Sequence, residues 1–282
     1  AANQTIVGAY IIWAGVSNGQ STTIALNGVN LQPDILNVVN LCPPCSSPCY
    51  SFSAVKDVTS MVQSSGNGLY QVTNFDLNPF VQMIGNCFCG QNIPFSGWNL
   101  IVVYSTPTLS NKQINIYNGH KVLGGAGNPL TNTFLISNLN ITNTAGAKMT
   151  YIAYNGSPNA YLNESIQVNG NTLSNAQNPA NNPFNSTNSF TGSNSSWNID
   201  VDTYSSGDGV DHRGDQNCTG RPDFAGRVAG LSRLCTTRAL SVDSWDILRD
   251  LVVGVPDQRL RSNRESCAPP NKAIKTDRNR PR

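Results

Sequence analysis

The dipeptide Asn-Gly recurs at Asn18, Asn27, Asn67, Asn118, Asn155 and Asn169, between short runs of apolar residues. Both central positions of a type I′ turn need positive φ, which Asn and Gly tolerate best. Each pair is therefore the strongest short-range signal for a β-hairpin. The intervening runs include Ile6–Trp13, Thr22–Leu26, Leu69–Thr73, Leu100–Tyr104, Ile114–Tyr117, Phe134–Ile136, Met149–Tyr154 and Ile166–Val168. Runs of this length, bounded by turn residues, predict strands. Leu100–Val103 is apolar on both faces, so it is expected inside a sheet covered on each side. Trp197, Ile199 and Val201 alternate with polar residues, the pattern of a half-exposed strand. One segment predicts a short helix: Asp57 caps it, Val58, Met61 and Val62 share a face, and Gly66 ends it.

A repeat is visible in the same region. Tyr10-Ile-Ile-Trp-Ala-Gly15 precedes Ile24-Ala-Leu-Asn-Gly-Val-Asn-Leu31, and Tyr151-Ile-Ala-Tyr-Asn-Gly156 precedes Ile166-Gln-Val-Asn-Gly-Asn-Thr-Leu173. Each unit reads as a buried strand, a loop, and a hairpin closing on Asn-Gly. The expected fold is all-β, a jelly-roll-like β-sandwich of two related halves with an irregular Arg-rich C-terminal tail. Residues 1–120 form the first half with Cys-rich loops, 121–205 the second half, and 206–282 the tail.

Composition separates the tail from the body. All twelve Arg lie at or after Arg213, whereas 33 Asn lie in residues 1–205 and only 4 in 206–282. The body carries four Lys against six acids, and the tail 14 basic against 10 acidic residues. Three readings stand for the tail. It is a basic arm for an anionic polymer. It is a small domain, with Val242, Trp245, Leu248, Leu251 and Val252 at helical spacing. Or it is foreign to the fold, through an appended segment or a shifted reading frame. Read one base later, with permissible codons, residues 211–230 encode an apolar strand and then a stop.

Charged residues make up only 12% of the chain, about half the usual share for a soluble domain. A surface of neutral amides and hydroxyls is expected, and no apolar run is long enough to span a bilayer as a helix. Eight Cys point to export into an oxidising space. Asn-x-Ser/Thr triplets begin at Asn3, Asn140, Asn155, Asn163, Asn185 and Asn194, although such triplets also arise by chance in so Asn-rich a chain.

Several segments in fixed order resemble a module of large secreted bacterial surface and fimbrial repeat proteins. They are Ala9-Tyr-Ile-Ile-Trp-Ala-Gly15, Asp57-Val-Thr-Ser-Met-Val-Gln63, Gly66-Asn-Gly-Leu-Tyr-Gln-Val72 and Gly97-Trp-Asn-Leu-Ile-Val-Val-Tyr104. Ile114-Asn-Ile-Tyr-Asn-Gly119 and Asn178-Pro-Ala-Asn-Asn-Pro-Phe-Asn-Ser186 complete the series. The resemblance implies an exported β-sandwich with structural or adhesive duty and no known catalysis. The Cys-rich insertions and the Arg-rich end depart from that pattern.

Cys42-Pro-Pro-Cys45-Ser-Ser-Pro-Cys49 and Cys87-Phe-Cys89 are two loop clusters; Cys218, Cys235 and Cys267 lie in the tail. Disulfides account for all eight better than a zinc site built from Cys42, Cys45, Cys87 and Cys89. Five Cys in the body leave at least one for another chain or for the tail.

Nothing in the sequence forms a catalytic constellation. His120, after an Asn-Gly pair, is expected in solvent, and His212 belongs to the tail. Asp200 and Asp202 share a side of a strand. A glycosidase-like carboxylate pair, or calcium held with Asp208, is conceivable there, but solvated edge carboxylates are the expectation. Isopeptide cross-links from Lys56, Lys112, Lys121 or Lys148 to Asn would need a buried acid nearby, and the body holds only six acids.

The expected function is non-enzymatic and needs no cofactor or metal. The chain reads as an extracellular structural subunit of a surface filament, appendage or coat. It assembles with itself or other surface proteins through β-edges and inter-subunit disulfides, without a membrane span or nucleic acid. The alternative is a monomeric adhesin or carbohydrate-binding module, with Tyr154 and Tyr161 stacking on sugars.

Overall fold

A computed structural model describes residues 4–17, 22–40, 50–75, 96–108, 114–121, 131–136, 148–154, 156, 164–196, 199–208, 216–221, 231–235 and 252–254. The first part of the chain supplies β1 (Thr5–Ser17), β2 (Ile24–Leu26), β3 (Val29–Leu31), β4 (Ile35–Asn40), β5 (Tyr50–Asp57), α1 (Thr59–Ser65), β6 (Val72–Thr73), β7 (Ser96–Ser105) and β8 (Tyr117–Lys121). Then come β9 (Asn132–Ile136), β10 (Lys148–Tyr154), β11 (Ser165–Val168), β12 (Asn171–Thr172) and β13 (Ile199–Ser205). After the 3₁₀ turn Ser206–Asp208 lie β14 (Gln216–Arg221), β15 (Leu231–Cys235) and β16 (Val252–Gly254). The fold is all-β with one short α-helix among the described residues, and its ladders are antiparallel.

The largest sheet has the order β16-β7-β1-β5-β4. Thirteen-residue β1 is its centre, pairing from Tyr10 to Ser17 with β5 and from Thr5 to Gly15 with β7. Period-two alternation sends Ile11 and Trp13 to one face and Ile12, Ala14 and Val16 to the other, and all five are buried. Leu100 on β7 joins the first set, Ile101 and Val103 the second, so that strand is covered on both sides.

Three apolar clusters stack through the molecule. On the outer face of the large sheet, Ile11, Trp13, Phe52, Trp98 and Leu100 pack under Ile24, Leu26 and Leu31 of the β2–β3 hairpin and Val58 and Val62 of the helix segment. On the inner face, Ile12, Ala14, Val16, Val55, Ile101 and Val103 meet Ile152 and Tyr154 of β10 and Ile199 and Val201 of β13. This cluster joins residues 1–120 to residues 121–205. The far face of β10–β13 carries Ala153 and Tyr204, which pack with Ile166, Val168, Leu173 and Phe184.

Gly97 lets the strand pairs come together. A Cβ there would sit 2.4 Å from Ile199 Cδ1 and 3.3 Å from the Tyr154 ring. Beside it, Asn99 Nδ2 donates to the Tyr154 hydroxyl at 2.7 Å, a polar tie inside an apolar layer.

Two Asn-Gly pairs close hairpins. Asn27-Gly28 (φ 48° and 80°) joins β2 to β3, and Asn169-Gly170 (φ 48° and 84°) joins β11 to β12. Asn67-Gly68 lies in a bend between α1 and β6. Asn118-Gly119 sits inside β8, against expectation, because β15 pairs with both residues. Asn18 and Asn155 lie outside the described residues. The helix begins one residue later than expected: Val58 is its N-cap, while Asp57 Oδ1 accepts from Thr59 N at 2.8 Å.

The expected register of the repeat is corrected. Matching Tyr10 to Tyr151 pairs Trp13 with Tyr154, yet Trp13 faces its own hairpin and Tyr154 faces the large sheet. A shift of one residue exchanges the two faces of a strand. The hairpins therefore correspond, whereas the strands before them are out of phase.

Strands β14, β15 and β16 place three segments of the Arg-rich end beside β11 and β9, β8, and β7 respectively. Val252, read at helical spacing, begins β16; the rest of that helical pattern lies outside the described residues.

Candidate functional site

The alternation Ile199-Asp-Val-Asp-Thr-Tyr204 sends Ile199 and Val201 into the apolar layer and Asp200, Asp202 and Tyr204 to the opposite face. Register with β10 sets Tyr151 opposite Asp202 and Ala153 opposite Asp200. That face is closed by residues 173–196, a segment rich in short polar side chains. Its turns are built by Asn175, whose Oδ1 accepts from Gln177 N and Asn178 N, and by Asn188, whose Oδ1 accepts from Phe190 N and Thr191 N. Phe184 is its apolar anchor and packs edge-on against Tyr151.

Both carboxyl groups are completely buried, at 0% exposure. Asp200 Oδ1 accepts from Ser186 N at 2.6 Å and Thr187 N at 3.3 Å, while Oδ2 has no partner. Ser186 holds φ 63° to present these amides, and its hydroxyl donates to Gly156 O at 2.9 Å. Gly156 has to be glycine: a Cβ would lie 1.9 Å from Asp200 Oδ2 and 2.6 Å from Phe184 O. Asp202 Oδ1 lies 3.0 Å from Thr187 Oγ1 and 3.2 Å from Ser189 Oγ, and its Oδ2 is 3.2 Å from the Tyr151 hydroxyl. That hydroxyl also donates to Pro183 O.

Burial raises the Asp200 pKa well above the ordinary carboxylate range, and the neighbouring Asp202 adds to the rise. Burial likewise raises Asp202 to about 6, against the hydrogen bonds that favour its ionised form. Tyr151 and Tyr204, stacked with centroids 5.9 Å apart, are both raised by burial. The described lysines lie elsewhere: Lys56 pairs with Asp34, and Lys121 and Lys148 are exposed.

Thr187 Oγ1 lies 2.6 Å from both Asn178 Oδ1 and Asn185 Oδ1 and 3.0 Å from Asp202 Oδ1. One hydroxyl carries one proton, so these three acceptors compete for it, and a proton on Asp202 relieves that competition. Both carboxyl groups sit in a dry site.

Several expectations are corrected here. Asp200 and Asp202 are not solvated, because their strand face is covered by residues 173–196. With both groups at zero exposure, no water or glycoside reaches them in this structure. Asp208 does not join them: its Oδ2 accepts from Ser205 N and Oγ at 2.7 and 2.8 Å. Among the described residues no three of His, Cys, Asp or Glu gather as a metal-ligand set. Tyr154 is fully buried and offers no face to a sugar. His120 is half-buried on β8, with Nε2 2.8 Å from Ser51 Oγ. Desolvation lowers its pKa to about 4, partly offset by the bond to Ser51. Lys56, Lys121 and Lys148 are paired or exposed and do not approach the buried acids.

Of the glycosylation candidates, Asn185 is buried with its amide nitrogen committed to Gln177, so it presents no acceptor on the folded surface. Asn194 is exposed. Asn3, Asn140, Asn155 and Asn163 lie outside the described residues, as do Tyr161, His212, Lys112, Cys42, Cys45, Cys49, Cys87, Cys89 and Cys267. Cys218 and Cys235 fall in β14 and β15.

Comparison of the chain with protein-family models, curated proteins and solved structures finds no match. The site was legible in one respect: the alternation at 199–204 grouped the two acids. Its burial was not, because nothing local says which strand face another segment covers.

Proposed function

We propose that this chain is an extracellular, non-enzymatic structural subunit that assembles with copies of itself through the open edge of its largest sheet. The supporting observation is β4. Among the described residues no strand pairs with its outer side, and its sequence Ile35-Leu-Asn-Val-Val-Asn40 has no charge and no proline. Natural edges are usually blunted by lysine, proline or a bulge. Here Leu36 and Val38 are instead 46% and 49% exposed on one face. Side-chain and hydrogen-bonding directions both alternate with period two, so two β4 strands meet antiparallel only with like-facing residues opposed. The register centred on Asn37 sets Leu36 against Val38 of the second copy, and Ile35 against its Val39. Low charge in the body leaves little repulsion between copies, and the cysteine content fits an oxidising exterior.

Light scattering and electron microscopy of the purified chain, with Leu36→Lys and Val38→Lys beside it, test this reading. Assemblies that dissociate in the lysine variants, with unchanged circular dichroism, are expected. A wild-type chain that stays monomeric at every concentration, or lysine variants that assemble equally well, would overturn it.

A further inference from the structure

Residues 173–196 cross the far face of β10–β13 with few apolar anchors; Leu173 and Phe184 are the ones in the cluster core. Much of the remaining attachment is polar, and a large part of it converges on two side chains. Ser186 N and Thr187 N donate to Asp200, and the hydroxyls of Thr187 and Ser189 approach Asp202. Backbone bonds along β13 continue the seam: Val201 N donates to Thr187 O, and Ser189 N to Val201 O. Much of what secures the middle of this segment therefore passes beside two buried carboxyl groups two residues apart, alongside the Phe184 anchor and the bonds to Gly156 O and Pro183 O.

We propose that residues 173–196 form an acid-locked strap, closed on β13 while Asp200 and Asp202 carry protons and released as the pair ionises. The neighbouring acids disfavour added negative charge, whereas the strap's own amides and hydroxyls favour it. Tyr151 comes from β10, Tyr204 from β13 itself, and the buried Glu164 precedes β11. Asp208 follows β13, and Arg221 occupies the β14 register position opposite Ser165, next to Glu164 in the chain. Neutral Asp202 donates to Thr187 Oγ1; ionised, it competes with the nearer Asn178 Oδ1 and Asn185 Oδ1 for that hydroxyl's one proton. Neutral Asp200 still accepts both strap amides through Oδ1, while its Oδ2, pressed against Gly156 without a partner, tolerates a proton better than a charge. The cheapest way to hydrate two new charges is to lift the segment that covers them, because β13 is held by a full ladder to β10.

Amide hydrogen exchange at pH 5 and pH 8, expressed as protection over the intrinsic rate, reads the strap directly. Protection at Ser186 and Thr187 is expected to fall about tenfold or more at pH 8, one pKa unit being worth a factor of ten. Amides of Ile12 and Trp13 in β1 serve as the internal reference and are expected to change less. In the Asp200→Asn/Asp202→Asn chain, whose side chains stay neutral and similar in shape, the pH difference at the strap is expected to vanish. Equal wild-type protection at both pH values relative to β1 overturns the proposal, as does a double variant that keeps the difference. Should the double variant not fold, the wild-type comparison decides alone.

Discussion

The outer layer on β1 and the outer layer on β13 are each closed by an Asn-Gly hairpin with nearly identical φ angles, and each holds an apolar cluster, yet only the second adds buried acids to it. Over β1 lie Ile11, Trp13, Phe52 and Trp98, and the one polar group of Trp13 is satisfied by donating to Thr22 O at 2.6 Å. Over β13 lie Asp200, Asp202, Tyr151 and Tyr204. The first layer is stable because apolar area leaves water, a gain indifferent to pH. The second gains from apolar burial as well, but its acids tie part of its stability to their protonation, because an unpaired buried charge is costly. A shared hairpin thus fixes where a layer ends without fixing what holds it.

The largest effect is expected on the apolar side. Trp13→Ala should lower stability by about 3–5 kcal/mol, equally at pH 5 and pH 8 in urea unfolding. A loss that varied with pH would break the contrast between the layers.

Next comes the acid side. Asp202 has an unfolded pKa of about 3.9 and a folded value of about 6. Its folded pKa is raised, so its contribution is fully present below about pH 4 and lost as pH rises through 6. Two units correspond to about 3 kcal/mol. The difference in stability between Asp202→Asn and wild type should shift by about that much in the variant's favour between pH 4 and 7. A flat difference would mean that the carboxylate is folded in its charged form. The difference matters because His120 acts oppositely: its folded pKa is lowered from 6.5 to about 4, so its contribution is present above 6.5 and lost as pH falls. His120→Gln should remove that acid-side loss, read as a smaller fall in unfolding midpoint from pH 7 to 4.

A smaller effect is expected where the strand pairs meet. Gly97→Ala should cost about 1–3 kcal/mol by overpacking, and adding Ile199→Val, which removes the atom nearest the new Cβ, should recover part of it. Full cost in the double variant would place the obstruction at the Tyr154 ring.

The smallest effects test the shared hairpins. Asn27→Ala and Asn169→Ala should each cost about 1 kcal/mol, the strain of positive φ at a residue with a Cβ. The Gly variants should stay within about 0.5 kcal/mol of wild type. Unequal costs would show that one turn is held by its surroundings.

Much of the all-β character was readable locally. Ile24–Leu26 and Ile166–Val168 were marked by their turns, and Leu100–Val103 by apolarity on both faces. Three strands of the largest sheet were not, Val252–Gly254 among them because its Val252 was read at helical spacing. Tyr50–Asp57 reads weakly because Ser51 and Ser53 occupy core-facing positions, both at 0% exposure, and Ser51 is matched to His120 from β8. Ile35–Asn40 reads weakly because apolar residues lie on both its faces, Ile35 and Val39 against the core and Leu36 and Val38 exposed. Asn118-Gly119 carries the strongest hairpin signal available and still became strand, once β15 offered both residues ladder partners.

By itself the sequence determined where the chain turns and which residues share a strand face, because positive φ and period-two alternation are properties of one residue and its neighbours. Only tertiary structure decided that the face bearing Asp200 and Asp202 is buried. A carboxyl group's cost depends on what covers it, and the cover here comes from residues 173–196, brought back over β13 after the hairpin.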